Sequence, residues 1–152
     1  MLLLAFLGPF LWLFGSTLAR DRSFAFRDAA HYYHPLFEWT CGEWSEGRIP
    51  LWNPQENNGI PALADTTSSV FYPGKLLFVL PLDYTLRYKL YVTLHVLLAG
   101  GLTYWAARRW GCGWDAAGAA GLAYAFGGHV LFQYCNVIYL VSAAWLPAAL
   151  AK

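Results

Sequence analysis

RDAAHYYHPLFEW at residues 27–39 opens a polar stretch that continues with GRIPLWNP at 47–54, NNGIPALAD at 57–65 and FYP at 71–73. Long hydrophobic segments lie on both sides of this stretch. It holds most of the acidic residues and a density of Trp, Tyr, Pro and Gly that a simple tether between helices does not need. We therefore expect the flanking segments to set the architecture and this stretch to carry the chemistry.

The composition of the 152 residues is that of a membrane protein. Hydrophobic residues make up 58% of the chain and charged residues 12%, whereas about a quarter of the residues in a soluble domain are charged. The formal net charge is +1. Without a basic surplus the chain lacks the means to bind nucleic acid by counterion release, so nucleic acid is excluded as a partner.

The hydrophobic segments predict an all-α, polytopic membrane protein with about four transmembrane helices and one large outer loop. About 20 apolar residues suffice to cross a bilayer. Arg108 and Arg109 lie in a short turn, which the positive-inside rule places in the cytoplasm. The predicted order is transmembrane helix 1 at 1–19, an outer loop with interfacial helices at 20–89, transmembrane helix 2 at 90–107, a cytoplasmic turn at 108–115, transmembrane helix 3 at 116–132, an outer turn at 133–136 and transmembrane helix 4 at 137–152.

The first and last segments of the predicted order each have a feature that affects their assignment. Residues 1–19 have an alternative reading as a cleaved signal peptide, although they lack a basic n-region. At the other end, residues 137–151 rise only about 22 Å as a helix against a hydrocarbon core of about 30 Å. We therefore expect the chain to be truncated within transmembrane helix 4.

Within the outer loop, Leu36, Phe37, Thr40 and Trp44 fall on one face at helical spacing. This pattern predicts an interfacial helix with its apolar side down, and Pro35 predicts that its first turn is separate. Turn-forming residues at 47–59 predict an ordered but irregular loop. The short apolar run at 75–80 predicts a second interfacial helix.

Small residues recur at regular spacing in predicted transmembrane helix 3. Ala119, Ala123 and Gly127 repeat at four-residue spacing, the pattern that lets two helix backbones approach closely in lipid. We therefore expect this face of the helix to contact protein.

Two carboxylates are the candidate catalytic residues. Asp28, just beyond transmembrane helix 1, suits a general base or a ligand of a divalent cation; the alternative is that it caps a helix starting at Ala29. Asp65 either pairs with Asp28 across a site or closes an Asx-turn with Thr67.

The spacing of Asp28, His31 and His34 suggests a metal site. At 3.6 residues per turn a D-x-x-H-x-x-H array puts three ligands on roughly one helix face. A divalent metal ion, zinc in particular, is the one cofactor that the sequence suggests. The alternative is a His-rich face of an interfacial helix without metal.

Aromatic and basic residues of the loop are candidates for substrate binding. Trp39, Trp44 and Trp52 suit stacking on sugar rings or, alternatively, anchoring at a membrane interface. Cationic side chains suit a phosphate at the outer surface or, alternatively, membrane lipid headgroups; they are Arg27, Lys75, Arg87 and Lys89. The complete set assigned to substrate is Arg27, Tyr33, His34, Trp52, Asn53 and Lys75.

The order of these motifs resembles the first outer loop of YfhO-type bacterial membrane proteins, which belong to the GT-C superfamily of polytopic glycosyltransferases. The matching run is Asp28, Tyr33, Pro35, IPLWNP at 49–54, Gly59, Pro61, Ala64 with Asp65, and FYP at 71–73. The likeness continues through His95, Gly111 and AYAFG at 123–127, so it covers nearly the whole chain.

The resemblance implies transfer of a sugar from a polyprenyl-phosphate-linked donor to an acceptor at the outer face of the bacterial plasma membrane. It assigns the essential acid of the first outer loop to Asp28, with Asp65 as second choice. It further implies that this chain is the N-terminal part of a longer enzyme, whose remaining membrane helices would be its partner. The alternative is a non-catalytic membrane subunit or transport component whose outer loop binds another protein.

Overall fold

The computed structural model describes the backbone of residues 2–20 and 22–151, with side chains from Phe6 onward. Asp21 and the predicted limits at Met1 and Lys152 lie outside the described residues. Helix accounts for 68% of the chain and no strand occurs among the described residues, which confirms the all-α prediction. The elements are α1 (Leu2–Ala19), a π-helix (Ala29–Tyr33), α2 (His34–Ser45), a first 3₁₀ helix (Pro73–Val79), α3 (Tyr84–Arg109), α4 (Trp114–Ala125), α5 (Gly128–Phe132), a second 3₁₀ helix (Gln133–Cys135) and α6 (Val137–Leu150).

Helix α3 is the central element. Asp83 caps its start by accepting hydrogen bonds from the backbone N–H groups of Thr85 and Leu86. Both α4 and α6 pack along it, and its buried side chains include Tyr88, Val92 and Val96. Within the described part of the chain, α3 alone is both long enough and apolar enough to cross a membrane. A buried core helix of a soluble protein meets the same two criteria.

The segment predicted as one helix at 116–132 is broken, so this prediction is wrong. Helix α4 starts two residues earlier, at Trp114, and ends at Ala125, and α5 starts only at Gly128. Between them Gly127 has an extended backbone, and a Cβ there would lie 2.7 Å from the carbonyl oxygen of Ala123. The Gly127-Gly128 pair therefore permits a sharp break that a bulkier residue at 127 would obstruct.

The small residues of α4 pack in a different register from the predicted one. Ala119 and Ala123 are exposed, whereas Ala117, Gly121 and Ala125 are buried. A Cβ on Gly121 would lie 2.8 Å from the carbonyl oxygen of Gly100 in α3. Close approach of two helices through small residues is thus present, but on the neighbouring face.

The outer segment packs on the start of α3. Leu36, Phe37 and Thr40 of α2 are buried. The first turn predicted to be separate at Pro35 is not, because α2 begins at His34 and continues directly from the π-helix. The ring of Phe37 contacts those of Phe78 and Tyr91 at centroid distances of 5.7 Å. The apolar face of α2 therefore covers protein instead of facing a membrane.

Candidate functional site

The backbone around Asp28 is unusual on both sides. Arg27 has a φ of +54°, a left-handed conformation that costs free energy for a residue other than glycine and clusters at functional sites. The π-helix Ala29–Tyr33 follows directly, and short π-helical segments are also frequent at such sites. Asp28 is exposed and makes no capping hydrogen bond with its side chain. The capping alternative is therefore not observed, and the carboxylate is presented to solvent.

Asp28 and Asp65 act on one common neighbour, the buried phenol of Tyr33. Burial raises the pKa of Tyr33 to about 12, and the charges of Asp28 and Asp65 and the phenols of Tyr32 and Tyr139 add to the effect. Tyr33 itself is 3% exposed, so the structure contradicts its assignment to direct substrate contact.

Asp65 closes an Asx-turn with Thr67, which was the alternative to its pairing with Asp28 in a catalytic site. Its carboxylate accepts hydrogen bonds from the Thr67 backbone N–H at 2.9 Å and from Thr67 Oγ1 at 2.5 Å. It also accepts one from Tyr32 Oη at 3.1 Å. These bonds make Asp65 an anchor between the 65–67 turn and the π-helix, and they leave Asp28 as the more accessible base.

The predicted metal site does not assemble. Among the residues that the structure describes, no group of three or more His, Cys, Asp or Glu side chains is placed to hold a metal ion. The reason lies in the backbone, because a π-helix has wider turns than the α-helix on which the spacing of Asp28, His31 and His34 was assessed. The ring of His34 instead lies 4.7 Å from that of Tyr84 and 5.2 Å from that of Tyr88, measured between centroids. In this position it packs among aromatic rings.

A small pocket opens beside the π-helix. Its volume is about 250 Å³, and its walls include His31, Tyr32, Trp39, Asn53 and Glu56. Asn53 and Ile60 exchange backbone hydrogen bonds of 2.8 and 2.9 Å, which form an isolated bridge within the irregular loop. Three residues that the sequence singled out, His31, Trp39 and Asn53, thus share one pocket.

Trp52, predicted to bind substrate, lies outside this pocket. It is 56% exposed, and its indole covers Gly59, where a Cβ would lie within 2.8 Å of three ring atoms. Trp39 occupies the pocket wall in its place. The sequence indicated both tryptophans as candidates for stacking on a sugar ring, but it contained no signal that would favour Trp39 over Trp52.

The basic residues divide into one exposed side chain and three structural ones. Arg27 is exposed. Lys89 Nζ donates to the Arg20 carbonyl at 2.7 Å, and Arg87 donates to Cys41 Sγ at 3.1 Å and to the Phe78 carbonyl. These two residues therefore tie the outer segment to α3.

Lys75 contradicts its assignment to the outer surface. It is 2% exposed, and Nζ lies 2.8 Å from the centroid of the Phe37 ring, with no hydrogen-bond partner in the part of the chain that the structure describes. Burial lowers the pKa of Lys75 well below its usual value. An amino group in this position is unsuited to binding a phosphate outside the membrane.

A hydrogen-bonded chain that the sequence reasoning missed joins the outer segment to two helices. His95 Nδ1 lies 2.6 Å from the Tyr91 carbonyl, which can only accept, so this nitrogen carries the proton. Nε2 then accepts from Tyr72 Oη at 2.7 Å, and Tyr72 Oη accepts from Trp145 Nε1 at 2.8 Å. The available sequence signals were the FYP motif and a histidine within an apolar helix.

Comparisons of the chain with family models, with curated proteins and with solved structures find no match.

Proposed function

We propose that this chain is the N-terminal part of a YfhO-like membrane glycosyltransferase of the GT-C superfamily. It would transfer a sugar from a polyprenyl-phosphate-linked donor to an acceptor at the outer face of a bacterial plasma membrane. The observation that carries this proposal is the exposed carboxylate of Asp28, presented between a left-handed residue and a π-helix. A conformation of this cost is retained where function requires it.

In the proposed reaction, Asp28 accepts the proton of the acceptor hydroxyl as the acceptor oxygen attacks the anomeric carbon. The bond from that carbon to the phosphate oxygen breaks, and the phosphate leaves with the electron pair. Attack from the side opposite the leaving group inverts the anomeric configuration. The neighbouring Arg27 is exposed and supplies positive charge for the departing phosphate.

The proposal includes a membrane arrangement. We assign α1, residues 90–107 of α3, the α4–α5 pair and α6 as four spans, with residues 20–89 outside. Support comes from the length and composition of α3 and from the exposed Trp105 and Trp110 at its C-terminal end, where tryptophan marks a membrane interface. The Arg108 guanidinium carbon lies 4.0 Å from the ring centroid of Trp114, and a cation beside exposed aromatic rings supports the same assignment.

Asp28→Asn tests the proposed function. The variant is made in the full reading frame that contains residues 1–152, and membranes are supplied with polyprenyl-phosphate-linked glucose, galactose or N-acetylglucosamine. Loss of a general base predicts a fall in transfer of about 10²–10⁴-fold with unchanged expression. Asp115→Asn is the matched control, because Asp115 is also exposed but lies at the opposite end of α3. Unchanged transfer in Asp28→Asn would rule out this carboxylate as the base.

A second candidate function has its own observation. Ile49, Leu51 and Trp52 are 58%, 56% and 56% exposed, and adjacent exposed apolar residues mark contact surfaces. They favour a non-catalytic subunit or transport component whose outer loop binds another protein. On this reading, Leu51→Ser with Trp52→Ser abolishes co-purification of a partner and leaves any sugar transfer unchanged.

A further inference from the structure

The floor of the pocket beside the π-helix is a polar group held in place by the backbone. Asn53 is 4% exposed and lines the pocket. Its Oδ1 accepts from the Gln55 backbone N–H at 3.0 Å, which identifies the oxygen, because a backbone N–H can only donate. The amide nitrogen has no hydrogen-bond partner within the described residues, so a rigid donor is left for a ligand.

The walls supply an apolar ring and hydrogen-bond acceptors. Trp39 is half-buried, packs against the hydrophobic core and also lines the pocket, so its ring is held in one orientation. Glu56 also lines the pocket, and its carboxylate forms no hydrogen bond or ion pair among the described residues. Tyr32 Oη is engaged with Asp65 and Thr67 and fixes the rim.

Charge and size restrict the ligand. No Lys or Arg side chain lines the pocket as described, and Arg48 is paired with Glu43 at 2.7 Å and with Glu46. A phosphate or carboxylate would therefore meet the Glu56 carboxylate without a lysine or arginine in the wall to compensate its charge. The volume of about 250 Å³ is below the range of about 300–1,000 Å³ typical of drug-sized ligands, so it suits a single ring.

We propose that this pocket binds the pyranose ring of a sugar, with Trp39 against its apolar face, Asn53 donating to one hydroxyl and Glu56 accepting from another. A sugar ring has one apolar face and hydroxyl groups that both donate and accept, which matches this set of groups. The inference assigns a specific pocket and three side chains to the sugar of the reaction proposed above, and it rests on that proposal for its role in transfer. Binding of the ring does not depend on that role.

The test measures binding without transfer. The full-length protein in detergent is titrated with methyl glucoside, methyl galactoside and N-acetylglucosamine, and contact is read by saturation-transfer NMR. Wild-type protein is expected to bind at least one of these probes, and Trp39→Leu to bind it about tenfold more weakly. Glu56→Gln keeps the shape of the side chain and removes no observed contact, so it gives a second weakened variant with intact folding. Trp52→Leu is the matched control and should bind as wild type does.

Each outcome bears on one proposal. Absence of binding to all three probes by the wild type, or equal weakening by Trp52→Leu, overturns the sugar pocket. Binding that depends on Trp39 and Glu56, together with transfer that survives Asp28→Asn, supports the pocket and removes only the assigned base. Loss of transfer in Asp28→Asn with no binding at the pocket removes only the pocket.

Discussion

At the scale of single residues, the phenol of Tyr72 joins three parts of the chain. Its hydroxyl donates to His95 Nε2 and accepts from Trp145 Nε1, so Tyr72→Phe leaves both partners unpaired. Of the two partners, His95 is 3% exposed. Leaving a buried polar group unpaired costs about 1–3 kcal/mol, so we expect a lower temperature of unfolding in detergent. Tyr139→Phe is the control, since Tyr139 is 59% exposed and its hydroxyl makes no hydrogen bond among the described residues. Equal unfolding temperatures for the two variants would contradict the role of this network.

The amino group of Lys75 gives a prediction of opposite sign. Burying an unpartnered polar group costs about 1–3 kcal/mol, so replacing Lys75 by Met, which has a similar shape, should stabilise the protein. Because burial lowers the pKa of Lys75 in the folded state, the unfolded chain binds more protons. Stability should therefore rise with pH from the lowered pKa up to the ordinary value of 10.5.

The measurement for Lys75 is thermal unfolding in detergent from pH 7 to pH 10. Wild-type stability is expected to increase across this window, and Lys75→Met should reduce that slope. Lys75→Arg is the contrasting variant, because its guanidinium keeps its charge and should destabilise the fold throughout. A slope that Lys75→Met leaves unchanged would show that another group causes the pH dependence.

Sequence patterns reached part of the candidate site. They identified Asp28 as a candidate carboxylate and offered the Asx-turn of Asp65, because both depend on neighbours close in the chain. They placed Lys75 at the surface and chose Trp52 over Trp39, because burial of these side chains depends on contacts from distant segments. Phe37 covers Lys75 from 38 positions away, and no local pattern reports such a contact.

At the scale of elements, the crossing of α3 and α4 depends on Gly121. Its Cβ would lie 2.8 Å from the Gly100 carbonyl oxygen, so Gly121→Ala should force the helices apart and cost about 1–3 kcal/mol. Gly101→Ala is the matched control, since nothing lies within 4 Å of its Cβ. That variant should instead gain up to about 1 kcal/mol from helix propensity. Thermal unfolding of the two variants compares them, and equal stability would argue against a close crossing.

The crossing of α3 and α4 also shows why the positions of helices were easier to predict than the side of each helix that is buried. Runs of apolar residues were enough to predict α1, α3 and α6. Small residues occur in α4 at four-residue spacing in two registers, one with Ala119 and Ala123 and the other with Ala117, Gly121 and Ala125. Spacing cannot choose between the two, because the choice depends on where Gly100 of α3 lies.

At the scale of the whole molecule, the outer segment is attached to the helices at separate points. Lys89 binds the carbonyl at the end of α1, Arg87 binds the first 3₁₀ helix, and Tyr72 bridges α3 and α6. Residues 22–83 are therefore positioned by the helices and do not form an independent domain. Sites in this segment, including Asp28 and the pocket, should keep a fixed relation to the membrane if the helices span it.

The proposed orientation predicts opposite accessibility at the two ends of α3. Cys112 is exposed just beyond its C-terminal end, whereas Thr66 is exposed in the outer segment. In intact cells whose outer membrane is permeable, a membrane-impermeant maleimide should label the thiol introduced by Thr66→Cys in a Cys41→Ala, Cys112→Ser background. It should label native Cys112 in a Cys41→Ala variant only after the plasma membrane is opened. Cys41→Ala with Cys112→Ser is the control, because it retains only the buried Cys135. Labelling of Cys112 in intact cells at the rate seen for Thr66→Cys would overturn the orientation and, with it, the placement of Asp28 at the outer face.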